Sequence, residues 1–199
     1  MANTEPYILI LYYSRHGAVE QMAKQIALGV QLTGMKVLLR TVADISSNCE
    51  ASAPQIPEHG DIYCTLAELE NCSGLIVGSP SYFGNMASPL KYFIDNSSTL
   101  WMSGALIDKP AALFCSSSSL HGGQETTLMS MMIPLLHHGM VFTGIPYSAT
   151  PLLNTTSGGT PYGATHVAGK DNTNELDANE TSLCKTLGQR VANIAKKLL

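Results

Sequence analysis

Short apolar runs rich in β-forming residues alternate along this chain with stretches whose apolar residues recur at helical spacing. The first run, Tyr7 to Tyr13, is uninterrupted, which is typical of a parallel strand covered on both faces. Further strands are predicted at 37–42, 75–78, 111–115 and 140–143. This alternation predicts an α/β fold with a five-stranded parallel sheet and helices on both faces, built as one domain over residues 1–199.

The segments between these runs are of two kinds. Apolar residues from Val19 to Val30 predict the first helix, with Gly34 as its stop, and Pro89 is expected to open another. Helices are also predicted over 124–138 and 183–198. The polar stretch 43–64 and the Gly, Pro and Thr-rich stretch 144–179 are predicted to be irregular.

The charge distribution indicates self-association. Fifteen acidic and eleven basic side chains give a net charge of −4 and a pI near 5.8, so no basic surface for nucleic acid or an anionic membrane is predicted. Between Lys109 and Lys170 the one charged side chain is Glu125. Because solvated surface normally carries charge, we expect this span to include a subunit interface and a wall of the functional site.

The cysteines and the termini limit the compartment. The five cysteines are scattered without a CxxC pair, so they are expected to be reduced thiols, and neither a disulfide framework nor a metal site is predicted. The N-terminus lacks the charged and apolar regions of a signal peptide, and no apolar run approaches the roughly 20 residues of a membrane span. A cytoplasmic location is therefore expected.

Three polar loops directly follow predicted strands, and in an open parallel sheet such loops meet at the carboxyl edge, where ligands bind. The first loop leads into a helix, whose free N–H groups and dipole favour a phosphate. It consists of Ser14, Arg15, His16, Gly17, Ala18 and Val19. Because it lacks the GxGxxG and GxxxxGK[ST] patterns, it also fits an ordinary strand-to-helix turn.

The other two loops add different chemistry. The second consists of Pro80, Ser81, Tyr82, Phe83, Gly84 and Asn85, and its adjacent aromatic rings favour stacking on a flat ligand, although they also fit a satellite apolar cluster. The third consists of Ser116, Ser117, Ser118, Ser119, Leu120 and His121, and its small polar groups suit a heterocycle or simply a flexible loop. Together the three loops indicate a binding site more strongly than any one of them.

A series of motifs runs in order from Tyr12 to about Gly169 and so covers most of the chain. They are Tyr12-Tyr13-Ser14-x-x-Gly17, Gly78-Ser79-Pro80 leading to Phe83-Gly84-Asn85-Met86, Leu100-Trp101-x-Ser103-Gly104-Ala105-Leu106, Gly122-Gly123-Gln124-Glu125-Thr126, His137-His138-Gly139-Met140-Val141 and Gly158-Gly159-Thr160-Pro161-Tyr162-Gly163-Ala164. In these motifs the chain resembles the flavodoxin-like quinone reductases, specifically NAD(P)H:quinone oxidoreductases of the WrbA type.

The resemblance implies a flavodoxin-like sheet of strand order 2-1-3-4-5 and FMN bound by the three loops. The loop from Ser14 to Val19 would hold the phosphate, and the other two loops would contact the ring. His137 would lie near the flavin as a donor or orienting group. Trp101, supplied by a neighbouring subunit of a homotetramer, would wall a pocket shared by NADH or NADPH and a quinone.

The same resemblance implies transfer of two electrons as a pair, first from NADH or NADPH to FMN and then to the quinone, by ping-pong kinetics. The chain departs from the family's pattern in Tyr82, where Arg is usual, in His16, where Tyr is usual, and in a longer, Ser-rich third loop. We expect these departures to affect specificity rather than fold. The alternatives are a flavodoxin-type one-electron carrier and a flavin-binding interaction or regulatory protein without turnover.

Overall fold

The computed structural model describes residues 5–45, 57 and 60–199, and a parallel β-sheet lies at its centre. The strands of this part of the chain are β1 (Tyr7–Tyr12), β2 (Lys36–Thr41), β3 (Gly74–Pro80), β4 (Pro110–Ser117), β5 (Val141–Phe142) and β6 (Ala164–Val167). They are ordered β2-β1-β3-β4-β5, and all the pairings are parallel. The predicted flavodoxin-like order is confirmed.

Two strands share the position beside β4. β5 pairs with Pro110 and Ala111 at the start of β4, whereas β6 pairs with residues 114–117 at its end. The chain leaves the sheet between them and then returns to the same edge. The sequence prediction missed β6, because its four residues lie in a Gly- and Thr-rich segment without an apolar run of strand length.

Helices cover both faces of the sheet, as predicted. They are α1 (Ala18–Gln31), α2 (Leu66–Asn71), α3 (Ser88–Asp95), α4 (Ser98–Ser103), α5 (Gln124–His137), α6 (Pro151–Asn154) and α7 (Ala178–Leu198). Alternate β1 residues serve opposite cores: Ile8 and Ile10 pack with the apolar stripes of α1 and α7, whereas Leu9 and Leu11 pack on the side of α2 to α5. The strands are therefore buried on both faces, which explains their uninterrupted apolar runs.

Glycines bring α1 and α7 unusually close together. A Cβ at Gly29 would lie 2.1 Å from the carbonyl oxygen of Lys185, and one at Gly188 would lie 2.2 Å from that of Ile26. At each contact the carbonyl of one helix can approach so closely only because the glycine facing it has no Cβ. This contact fixes α1 against the sheet, and with it the loop that precedes α1.

The predicted long helices are present, and three short ones were missed. Pro89 lies in the first turn of α3, and Pro134 is accommodated inside α5. The missed helices α2, α4 and α6 are four to six residues long, too short for a periodic pattern. Two of them carried a local signal: α2 has the capping box in which Thr65 and Glu68 bond each other's backbone N–H groups, and α6 begins with Pro151.

The predicted irregular stretch 43–64 is described in part. Residues 46–56, 58 and 59 lie outside the described residues, and the flanks described here form no helix or strand apart from a bridge between Thr41 and Tyr63. Both flanks are hydrogen-bonded to the end of β1 or to the residue that follows it. The hydroxyl of Tyr12 donates to Asp61 at 2.9 Å, and that of Tyr13 donates to Asp44 at 2.6 Å.

The cysteines within the described ranges are free thiols. Cys72, Cys115 and Cys184 are buried, and burial raises the pKa of the Cys72 thiol to about 11; Cys49 lies outside the described residues. Among residues 5–45, 57 and 60–199 no three His, Cys, Asp or Glu side chains come together in a way that suits a metal ion. In the same part of the chain, no helix is both long and apolar enough to span a bilayer.

Candidate functional site

The carboxyl edge of the sheet carries a cleft of about 330 Å³, called here the first cleft. Parts of all three predicted loops line it. The lining residues are Ser14, Arg15, His16, Ala18, Val19, Pro80, Ser81, Tyr82, Ser116, Ser117, Ser118, Lys170 and Asn172. The cleft lies over the ends of β1, β3 and β4, where this sheet topology places ligands.

The first loop forms a cradle of amide groups at the start of α1. The Ser14 hydroxyl oxygen accepts hydrogen bonds from the amides of Gly17 at 3.1 Å and Glu20 at 3.3 Å. Gly17 adopts a left-handed conformation with φ of 88°, which turns the chain into the helix at little cost. Within the described part of the chain, the first-turn amides of Ala18 and Val19 bond to no acceptor. They and the helix dipole favour an anion at this end of the cleft.

The second loop is a tight turn with an aromatic residue at its tip. Tyr82 and Asn85 exchange two backbone hydrogen bonds, of 2.9 and 3.0 Å, and the central residues Phe83 and Gly84 both have positive φ, as in a type I′ turn. Phe83, with φ of 54°, is fully exposed. A phenylalanine held left-handed and in solvent costs stability, which makes Phe83 a candidate for a functional role.

Ser81 ties the second loop to the start of α5. Its hydroxyl donates to the Gly122 carbonyl oxygen at 2.8 Å and accepts from the Thr127 hydroxyl at 2.8 Å, while its amide donates to the Ser116 carbonyl oxygen. A Cβ at Gly123 would lie 3.0 Å from the Gly84 Cα. The second and third loops therefore support one another.

The third loop enters the site only with its first residues. Ser116 and Ser117 belong to β4 and line the first cleft together with Ser118. The Ser117 hydroxyl accepts from the Gln124 side-chain amide at 2.9 Å and donates to the Ser119 carbonyl oxygen at 2.7 Å. Its hydroxyl is therefore committed to the loop itself.

Several predicted cofactor contacts lie outside the lining of the first cleft. Ser119, Leu120 and His121 are exposed and follow the residues that line it. Gly17, Phe83, Gly84 and Asn85 shape the loops without lining the cleft. Their contact with a cofactor stays a prediction.

Lys170 and Asn172 line the first cleft and were missed by sequence reasoning. They follow β6, whose pairing with the end of β4 carries them to the cleft from a segment read as an irregular loop. These two residues were missed because β6 itself was missed. Asn172, with φ of 54°, marks a turn in which asparagine is tolerated.

His137 and Trp101 line a second cleft, of about 390 Å³, between α3, α4 and α5. The other residues of this second cleft are Lys91, Ile94, Asp95, Ser97, Ser98, Ile133, Pro134 and His138. None of its described lining residues lines the first cleft. Within one copy of this chain, the two predicted catalytic residues and the three loops are therefore on separate surfaces.

The neighbouring His138 has a defined proton arrangement. The Ser97 hydroxyl donates to the Ile94 carbonyl oxygen at 2.6 Å, so at the 3.0 Å contact with the histidine it acts as acceptor and Nε2 of His138 donates. Nδ1 is buried without a partner among the described residues. Burial, and then the proximity of His137, lower the pKa of His138, which keeps it neutral.

We expect the Phe83→Asn variant to gain stability and lose ligand affinity. Asn-Gly is the favoured central pair of a type I′ turn, so the free energy of unfolding should rise by about 1 kcal/mol as the strain is relieved. Loss of a stacking ring should weaken FMN binding about 10-fold. Denaturant unfolding and fluorescence titration measure the two effects, with Phe83→Tyr as the control that keeps the ring. A stabilised variant with unaltered FMN affinity would show that the ring does not contact the cofactor.

Comparison with known proteins places the chain in a defined group. The profile of a family described as NADPH-dependent FMN reductase matches residues 7–152. A Solidesulfovibrio magneticus protein named NAD(P)H dehydrogenase (quinone) is 39% identical over 204 residues, which cover 96% of this chain and 98% of the relative. These two matches agree with the resemblance drawn from the motifs.

Two solved structures support the fold. The flavodoxin, WrbA-like protein from Agrobacterium tumefaciens aligns with a TM-score of 0.68 at 23% identity, over 97% of this chain and 99% of its own. A flavodoxin from the domain Archaea aligns with a TM-score of 0.64 at 18% identity, over 96% and 99% of the two chains. Both share the flavodoxin-like architecture described above.

Proposed function

The chain belongs to the NADPH-dependent FMN reductase family, and from that membership we propose that it reduces quinones to hydroquinones with FMN as cofactor and NADH or NADPH as electron donor. The observation that supports this most is the first cleft. It joins a cradle of unpaired amides to an aromatic turn at the carboxyl edge of the sheet.

The residues of the first cleft fit FMN. The amides of Ala18 and Val19 suit a phosphate, and the cation of Arg15 beside them adds attraction. Tyr82 in the lining, and Phe83 at the tip of the same turn, offer flat apolar surface for an isoalloxazine ring, and the lining residues Ser116 to Ser118 offer polar groups for its edge. These groups favour an orientation in which the phosphate of FMN lies at the start of α1 and its ring lies towards the aromatic turn.

FMN, when bound, supplies hydride transfer and takes up and releases two electrons as a pair. The chain's own residues bind and orient the cofactor and shield it. The first-turn amides of α1 anchor one end of the cofactor, and the Ser81 bonds to Gly122 and Thr127 keep the turn that carries Tyr82 and Phe83 in place. We propose that donor and quinone bind in turn at a shared pocket, which gives ping-pong kinetics.

We further propose that the chain is a homotetramer in which the second cleft of one copy faces the first cleft of another. Exposed apolar side chains occur along α3 to α5, the segments between them and the start of β5: Tyr92, Trp101, Met102, Ile107, Met129, Ile133, Leu136 and Val141. Such a surface is typical of interfaces between subunits. This arrangement would bring Trp101 and His137 to the substrate side of the flavin, with His137 as the group that donates to or orients the substrate.

Sedimentation velocity tests the assembly. We expect a species of four chains for the wild type and smaller species when Met102 and Ile133 are both replaced by Glu, since two buried like charges oppose association. A monomer in the wild type would contradict the proposed role of Trp101.

The Trp101→Ala variant should lose about 10-fold in quinone turnover while its FMN affinity changes less than about twofold, because Trp101 is proposed to line the substrate pocket without holding the cofactor. Steady-state kinetics with benzoquinone and flavin titration measure the two effects, and Trp101→Phe is the control. Equal losses in both would contradict the assignment.

The proposed reaction is tested by NADH oxidation in the presence of FMN and benzoquinone. We expect oxidation that requires both, with double-reciprocal plots that are parallel as the quinone concentration is varied. A flavodoxin-type carrier would retain FMN yet oxidise no NADH. A flavin-binding regulatory protein would retain FMN without passing electrons to the quinone.

A further inference from the structure

A turn that follows β6, Gly169 to Asn174, forms an additional wall of the first cleft. Its tip contributes Lys170 and Asn172 to the lining, which also includes residues of the first loop and Ser116 to Ser118. Lys170 is the residue that ends the nearly uncharged span noted in the sequence. The turn therefore delivers a cation to the cleft from a part of the chain that the three loops do not include.

The backbone of this turn is closed at its base. The amide of Asn174 donates to the Ala168 carbonyl oxygen at 3.0 Å, and the Asn174 side chain donates to the Val167 carbonyl oxygen at 3.0 Å. The amide of Ala168 donates in turn to the Ser117 carbonyl oxygen at 2.8 Å, on the cleft side of β4. The base of the turn is thus fixed relative to the cleft, although the Lys170 side chain itself is exposed.

A buried contact between a histidine and a carboxylate lies next to the turn. Nδ1 of His166 lies 2.8 Å from the Glu180 carboxylate, and both side chains are at most 2% exposed. Nε2 of the same histidine lies 3.2 Å from the Asn174 carbonyl oxygen. With an acceptor facing each ring nitrogen, His166 links Glu180 at the start of α7 to the far end of the turn.

The charge at the first cleft differs from that of the whole chain. The chain carries a net charge of −4, yet the formally charged residues among those described in the lining are Arg15 and Lys170, both cations. Two cations in the same cleft as the amides of Ala18 and Val19, which have no acceptor among the described residues, favour a ligand with a concentrated negative charge. A phosphomonoester, which carries close to two negative charges at neutral pH, is such a ligand.

We propose that Lys170 completes the phosphate site of the first cleft, and that His166 and Glu180 are positioning residues that hold its turn in place. This inference rests on the proposed function, since it takes the phosphate of FMN as the ligand. It assigns part of the cofactor affinity to a residue outside the three loops.

The test compares FMN with riboflavin, which lacks the phosphate, by fluorescence titration of the full-length protein. For Lys170→Gln we expect about 10-fold weaker FMN binding at low salt, a smaller difference at high salt, and unchanged riboflavin binding. Lys170→Arg should retain FMN affinity. Lys36→Gln is the matched control, because it removes the same charge at the start of β2, on the opposite edge of the sheet.

Three results would overturn the inference: FMN affinity in Lys170→Gln equal to that of the wild type, equal losses for FMN and riboflavin, or a loss confined to NADPH. A wild type that binds neither flavin would contradict the proposed function together with this inference. If the wild type binds both flavins and Lys170→Gln binds FMN as tightly as the wild type, the inference alone is contradicted.

The positioning role has its own readout. His166→Gln should weaken FMN binding without affecting riboflavin, and adding Lys170→Gln to it should cause little further loss, because both changes act on one cation. Additive losses would show that His166 stabilises the fold without positioning Lys170.

Discussion

We expect the Ala18→Asp variant to lose at least about 100-fold in FMN affinity while its fold becomes slightly more stable. Ala18 is the first residue of α1 and lines the first cleft. A carboxylate there interacts favourably with the helix dipole, which should raise the free energy of unfolding by about 0.3–1 kcal/mol. The same carboxylate occupies the amide cradle and repels a phosphate.

The opposite signs of these two effects make the Ala18 variant informative. Ala18→Asn is the control, because it has nearly the same size and no charge, and we expect it to lose much less affinity. Flavin titration and denaturant unfolding measure binding and stability in the same samples. An Ala18→Asp protein that binds FMN as tightly as the wild type would place the phosphate elsewhere.

The Glu180→Gln variant should lose about 3–5 kcal/mol in the free energy of unfolding. One carboxylate oxygen of Glu180 accepts from the amides of Gly158 at 2.9 Å and Val167 at 3.2 Å, and the other faces His166 at 2.8 Å and the amide of Asp177 at 3.1 Å. Because both oxygens serve donors, a carboxamide must turn its own N–H groups towards another donor. A buried group is then left unsatisfied.

Glu68 provides a matched control for Glu180. It holds the same third position in the capping box of α2, but its side chain is 23% exposed and pairs with Arg40. We expect Glu68→Gln to cost about 1 kcal/mol or less, since water screens a more exposed pair. Equal losses at Glu180 and Glu68, measured by denaturant unfolding, would show that burial of the His166 pair adds nothing.

The Glu180 carboxyl also predicts how stability depends on pH. Burial on its own would raise the pKa of this carboxyl, but the hydrogen bond and charge of His166 and the amides of Gly158 and Asp177 hold it below its usual value. A carboxyl with a lowered folded-state pKa stabilises the fold above its unfolded pKa, and this contribution disappears as the pH falls through the folded value. We therefore expect the difference between wild type and Glu180→Gln to shrink below about pH 4.3.

The sequence predicted the centre of this fold better than its edge. β1 and β3 are buried on both faces, and their uninterrupted apolar runs follow directly from that burial. β6 is stabilised by its pairing with β4, a tertiary contact that no local pattern reveals. Lys170 and Asn172 depend on that pairing, so the same omission hid one wall of the first cleft.

The candidate site shows a similar division. The loop from Ser14 to Val19 could be predicted, because a strand end, a glycine and a helix start follow one another in sequence. The resemblance already assigned Trp101 to a neighbouring subunit, but the separation of His137 from the first cleft could not be predicted, since it depends on how α3, α4 and α5 pack. In the assembly proposed above, a second copy of the chain would bring these residues to the loops, and the spacing of residues in the sequence says nothing about contacts between copies.

The most direct test of the proposed function is an anaerobic absorbance spectrum of protein loaded with FMN and desalted, recorded before and after addition of NADH and then of benzoquinone. We predict retained flavin absorbance that bleaches with NADH and recovers fully with benzoquinone, without a one-electron absorption band. Retained flavin that does not respond to NADH would contradict the proposed reaction in favour of an electron carrier. Loss of flavin on desalting would contradict the assignment of the first cleft as a tight FMN site.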